Sequence, residues 1–152
     1  MSRRPQDKGR VAETASLKYW NACAGQSAER IVKHGNHDQG DVSHMEAHGL
    51  QGLMEVKNHD HSPSDSELEE WRRQTEAERV NAGKDWAVLW YHRPRCNIED
   101  HEARTFGRNW CDLTVDSYHA IAGIGRVPDE ALARRWVTIT IDECMRLVTG
   151  YI

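Results

Sequence analysis

Trp86-Ala87-Val88-Leu89-Trp90-Tyr91 is an unbroken apolar run, and it constrains the fold more than any other segment. Successive side chains of a strand point to opposite faces, so a strand with one face in water alternates apolar and polar residues. A run with no polar member has both faces covered, as in the central strands of sheets sandwiched between helices. The segment before it reads as a helix from Ser66 to Ala82, with Ser66 capping, Glu69 completing a capping box and Gly83 as the stop. Leu68, Trp71 and Thr75 share one face of that helix. A helix leading into a doubly buried strand predicts an α/β fold, a mixed central sheet flanked by helices.

The remaining elements fit this frame. Residues 9–24 read as a helix, with Val11, Ala15, Tyr19 and Cys23 recurring at i+4, Ala12 and Trp20 beside them, and Gly25 as C-cap. Residues 28–34 suit a first strand, followed by a polar loop to Gly40. Strands 41–46 and 51–57 form a hairpin turning at His48-Gly49, with paired positions summing to roughly 97. His59-Asp60-His61-Ser62-Pro63 breaks the sheet, and residues 92–108 read as a polar, irregular and mobile loop. In the last third, Trp110 to Asp116 parallels Trp136 to Asp142, each a strand turning into a short helix (Tyr118 to Ala122; Cys144 to Val148).

Length and charge bound the function. The 152 residues suit a single domain, 1–152, and the net charge of −4 argues against a protein that coats nucleic acid by bulk electrostatics. Basic residues nonetheless cluster locally, with Arg3, Arg4, Lys8 and Arg10 at the start. No apolar run is long enough to span a membrane and no signal peptide is visible, so the expected location is cytoplasmic. The four cysteines are widely spaced with no Cys-x-x-Cys pair, which points to reduced thiols.

The chemistry concentrates in Gly40-Asp41-Val42 and Glu55-Val56-Lys57. In a strand, Glu55 and Lys57 point one way while Met54 and Val56 point the other. The hairpin register lays Asp41 against Glu55 and Val56. Two carboxylates so placed can hold one or two Mg²⁺ ions, which demand oxygen ligands and keep several waters. The Val56 carbonyl is a further candidate ligand, and Lys57 can orient or activate water, or neutralise the transition state of phosphodiester hydrolysis. Glu13, a charged residue among apolar helix positions, is a fourth candidate, or else a solvent-facing residue. Many of the histidines crowd the same region, and His59-Asp60-His61 could ligate a transition metal, but no His-Glu-x-x-His helix exists and surface histidines are the favoured reading.

On these residues the chain resembles the PD-(D/E)XK nuclease superfamily, and within it the small archaeal-type Holliday junction resolvases with their phage and bacterial relatives. The resemblance covers residues 8–93, leaving 94–152 as an extension that closes the domain. Lys8 to Glu13 is similar to the family's opening helix, whose glutamate completes the metal site, and Arg30 falls on the first strand where a basic residue is common. Gly40-Asp41 and Glu55-Val56-Lys57 resemble the two catalytic motifs, and Gln74 the helix glutamine of some branches. The resemblance implies a restriction-endonuclease-like fold, Mg²⁺ (with Mn²⁺ as substitute), catalytic Asp41, Glu55, Lys57 and Glu13, and a homodimer acting on branched or four-way DNA. Arg4, Lys8, Arg10 and Arg30 are the expected DNA contacts. Other nucleases of the superfamily, a non-catalytic binding module and a histidine-rich metal-binding protein are the alternatives. The chain departs from the family in its acidic balance, in Gly rather than Pro before Asp41, and in a Gly35-Asn36-His37-Asp38 loop.

Overall fold

The computed structural model describes residues 5–31, 40–106 and 136–149. The chain runs α1 (Pro5–Ala24), β1 (Glu29–Arg30), β2 (Val42–Ala47), β3 (Leu50–Asn58), α2 (Asp65–Ala82), β4 (Trp86–His92), a 3-10 turn (Ile98–Asp100), β5 (Glu102–Phe106), β6 (Trp136–Thr140) and α3 (Ile141–Thr149). The strands form a six-stranded sheet in sequence order. β3 and β4 run parallel and every other pair is antiparallel. A parallel pair needs a crossover, and α2 supplies it.

Trp86 to Tyr91 is buried throughout, as its lack of polar residues requires. Strand alternation divides its side chains between two cores. Trp86, Val88 and Trp90 pack with Met54 and Val56 of β3 and with Ala12 and Trp20 of α1; Ile141, Cys144, Met145 and Val148 of α3 join the same cluster. Leu89 and Tyr91 pack on the other face against Trp71, with Leu68 beside them. Helices therefore cover both faces, and the α/β class expected from the sequence is the class observed.

Several local expectations shift. The buried stripe of α1 is Ala12, Ser16 and Trp20, whereas Val11 and Cys23 are exposed. The sequence hid this because the stripe's middle member is polar; Ser16 Oγ meets His92 Nε2 at 2.6 Å. The cap of α2 is Ser64, two residues before the expected Ser66. Both serines head a Ser-x-x-Glu pattern, but it is Ser64 whose Oγ accepts from the Glu67 N–H and whose own N–H donates to Glu67 Oε2. Gly83 closes the helix at φ 63 as expected.

The expected loop at 92–108 instead contains the 3-10 turn and β5. Ala103 and Thr105 are buried while Glu102 and Arg104 are only partly so, and the Thr105 hydroxyl donates to the Ala87 carbonyl. Alternation within a polar sequence concealed that strand. β1 is two exposed residues, shorter than the expected 28–34, and positions 32–39 lie outside the described residues. The strand and helix expected at 110–122 lie outside them too, whereas β6 and α3 reproduce the second copy of the repeat. Among the described cysteines, Cys23, Cys96 and Cys144 are free thiols.

Candidate active site

The hairpin turns at His48 (φ 52) and Gly49 (φ 82), as a two-residue connection with both centres left-handed must. From there the register is Ala47↔Leu50, Glu46↔Gln51 and Met45↔Gly52, then Val42↔Met54, so one extra β2 residue is taken up between Met45 and Val42. That is a β-bulge, and His44 carries its strain at φ 62. Continued without the bulge, the register would have set Asp41 opposite Val56, whose side chain enters the α1 core. The extra residue draws Asp41 back to the level of Glu55.

Asp41 is then fixed by the edge of β3. Its N–H donates to the Met54 carbonyl (3.0 Å), and its Oδ2 accepts from the Val56 N–H (2.8 Å). The carboxylate thus takes the place of a ladder carbonyl and brackets Glu55. N–H and C=O of one strand residue face the same neighbour, so the Val56 carbonyl is directed to this edge as well. Gly40, at φ 84, makes the approach possible. A Cβ there would stand 2.9 Å from Leu53 Cδ1 and 3.6 Å from Glu78 Oε2.

Glu55 is 2 % exposed. Its Oε1 accepts from Lys57 Nζ at 2.6 Å, and the same ammonium donates to Gln74 Oε1 of α2 at 2.9 Å. Glu55 Oε2 is buried and accepts no hydrogen bond from the described residues. Burial raises the Glu55 carboxyl to about 7; Lys57 pulls it down, and the neighbouring Glu78 carboxyl pushes it further up. Glu78 is itself 1 % exposed. Two carboxyl groups crowded together in a dry site are relieved by a proton or by a cation. The donor set is all oxygen, which suits a hard divalent ion such as Mg²⁺. Glu55 and Glu78 would hold it, with the Val56 carbonyl as a further oxygen. Asp41, Glu55 and Glu78 do not bring three ligand atoms within 4.8 Å of one another, and Asp41 Oδ2 is committed to the Val56 N–H.

Of the residues named from the sequence, the structure brings Glu55, Lys57 and Gln74 together and sets Asp41 on the Val56 N–H; Glu78, beside Glu55, was not named. The signal for Glu78 was present: Trp71, Thr75 and Glu78 recur at i, i+4 and i+7 and are the buried residues of α2. A carboxylate on the core-facing stripe of a helix needs a partner or a ligand. Glu13 is placed differently from the expectation. It lies on α1, across the sheet from α2, and its Oε2 accepts from Arg30 Nε at 2.8 Å with Arg30 Nη2 at 2.5 Å.

The expected DNA contacts are mixed. Lys8 pairs with Asp60 at 2.7 Å, Arg30 with Glu13, Arg10 is exposed, and Arg4 lies outside the described residues. A cleft of about 600 Å³ opens beside β4, lined among others by Asp60, His61, Arg93, Arg95, Glu102 and Arg104. Tyr91, paired with Lys57 across the parallel strands, also lines it, so the cleft neighbours the lysine end of the site.

No match was found among protein-family models, curated proteins or solved structures. What is established is the class: an α/β chain with a mixed six-stranded sheet and helices on both faces. Among the described residues, no helix is long and apolar enough to cross a membrane.

Proposed function

We propose that this chain is a Mg²⁺-dependent endonuclease that hydrolyses DNA phosphodiesters, with a four-way junction as its preferred substrate and a homodimer as its working form. The observation that carries the reading is the burial of Glu55 beside a half-buried Lys57 on one sheet face, with Asp41 held against their strand and Gln74 and Glu78 of α2 next to them. An exposed Glu-x-Lys pair would be an idle surface ion pair. A buried one is costly to desolvate, and a second carboxyl beside it adds to the cost. Such an arrangement destabilises the empty fold and is worth keeping for chemistry. The order of opening helix, first strand, hairpin, second helix and core strand also agrees with the nuclease resemblance.

A bound Mg²⁺ would supply Lewis acidity toward the phosphate and lower the pKa of coordinated water. Lys57 has the remaining work. Gln74 and Glu55 hold its ammonium in place, so it can donate to the attacking water or to a phosphoryl oxygen without reorganising. Asp41, fastened to the Val56 N–H, keeps one carboxylate oxygen at a fixed position relative to β3. In the neighbouring cleft Arg95, and Arg93 and Arg104 on exchanging their Glu102 partner for phosphate, offer contacts for the phosphate backbone.

Purified chain incubated with a four-way junction, a flap and a linear duplex tests the reading. Cleavage is expected only with Mg²⁺ or Mn²⁺, with symmetric paired nicks on the junction. Asp41→Asn and Glu55→Gln should each lower the rate by about 100-fold or more while DNA binding persists. Full activity in either variant removes the proposal. Cleavage of flap or duplex in preference to the junction keeps the nuclease and discards the resolvase.

A further inference from the structure

The geometry points to a second metal site, for a transition-metal ion such as Zn²⁺, formed by His59, His61 and Glu67 where β3 hands over to α2. One ligand atom from each of the three lies within 4.8 Å of the others. The spacing His-x-His alone gives two imidazoles; the third ligand arrives because the capping box of α2 brings Glu67 back over the connection. Glu67 Oε2 is bound to the Ser64 N–H (2.8 Å), which leaves Oε1 toward His61, 3.9 Å from its Nε2.

The groups are braced for the task. The His59 ring lies 4.8 Å from that of Trp71 and 5.5 Å from that of His61. The His61 carbonyl accepts from the Tyr91 hydroxyl at 3.1 Å, which ties the connection to β4. Zinc–ligand bonds are about 2.0–2.2 Å, so the three atoms must draw in slightly. His61 is well exposed and can pivot to do so. Two imidazoles and one carboxylate select zinc and its neighbours over Mg²⁺, which prefers oxygen alone. The positive end of the α2 dipole opposes a cation here, and Asp60, Asp65 and Glu67 offset it.

Three protein ligands leave a position open, which water or a phosphate oxygen can take. His61 and Asp60 also line the arginine-bearing cleft. Occupancy would clamp residues 59–67, joining the strand that carries Lys57 to the helix that carries Gln74 and Glu78. The site is independent of the nuclease reading, since none of its ligands belongs to that carboxylate set.

Equilibrium dialysis of the full chain against Zn²⁺ in excess Mg²⁺, with elemental analysis, tests it. One zinc per chain is expected. His59→Ala and Glu67→Gln should each weaken binding by more than about tenfold, because even outer-shell changes cost that much. Gln at 67 can still complete the capping box, so that variant remains folded. Asp41→Asn should bind zinc as the parent does. Zinc affinity within about twofold of the parent in Glu67→Gln, or its loss in Asp41→Asn, overturns the site; substoichiometric zinc in the parent does so as well.

Discussion

Buried Glu55 and half-buried His92 are titratable residues with opposite consequences for stability. The folded Glu55 carboxyl titrates near 7 because burial and Glu78 disfavour its charge. Its favourable contribution is therefore whole below the unfolded value of about 4.5 and disappears as pH rises through 7, a change on the order of 3 kcal/mol. His92 is lowered to about 4 by burial and by His101, whose ring lies 4.3 Å away. Its contribution is present above about 6.5 and is lost as pH falls through 4. The two windows overlap between about 4.5 and 6.5, where the slopes oppose and largely cancel, so denaturant melts of the parent in chelator should vary little with pH there. Glu55→Gln should unmask the His92 effect, with stability falling as pH drops from about 6.5 to 4, and His92→Gln the Glu55 effect, with stability falling as pH rises from about 4.5 to 7. A profile that still falls toward pH 7 in Glu55→Gln contradicts the assignment. A cation competes with the Glu55 proton, so Mg²⁺ affinity should also climb as pH rises toward 7.

At the level of elements, the sheet and α2 each depend on one small residue. Gly52 lies under the Trp86 ring, and an added Cβ would come within 2.2 Å of it. β3 and β4 pair at that very position, Gly52↔Trp86, so neither partner can retreat without opening the parallel register. Gly52→Ala should cost about 3 kcal/mol or more in equilibrium unfolding. At the start of α2, Ser64→Ala removes the side-chain half of the capping box and should cost about 1 kcal/mol. Because Gln74 and Glu78 ride on that helix, the same variant should weaken Mg²⁺ binding more than an exposed substitution such as Val80→Ala does. Equal Mg²⁺ affinities in the two would show that α2 docking does not depend on its cap.

Across the whole molecule, the two cores meet at β3 and β4, and the stability gradient should follow. Amide hydrogen exchange is expected to be slowest at Met54, Val56, Val88 and Trp90, whose amides lie in the doubly covered centre. It should be fastest among strand amides at Glu29 and Arg30, exposed on the two-residue edge. The reverse order would mean that the helices do not cover the sheet in solution as they do here.

Much of this fold was legible in residues 40–92 because its signals are local. Side-chain alternation placed Glu55 and Lys57 together, the unbroken run at Trp86 to Tyr91 announced a covered strand, and glycines marked the turn and the helix stop. These depend on neighbours two to four positions apart, and the backbone enforces them wherever the chain goes. The strand at 102–106 was missed because its alternation pairs Glu102 and Arg104 with buried Ala103 and Thr105, a pattern that reads as polar loop until β4 and β6 close on it. The bulge at Ser43-His44 was equally invisible, since register is chosen by which side chains the α1 core will accept. So was the place of Glu78: α2 carries six acidic residues, and docking alone decides that Glu78 is the one beside Glu55, while Glu13 of α1 pairs with Arg30. Residue type and spacing singled out the candidate residues; contacts between segments far apart in the chain selected their neighbours.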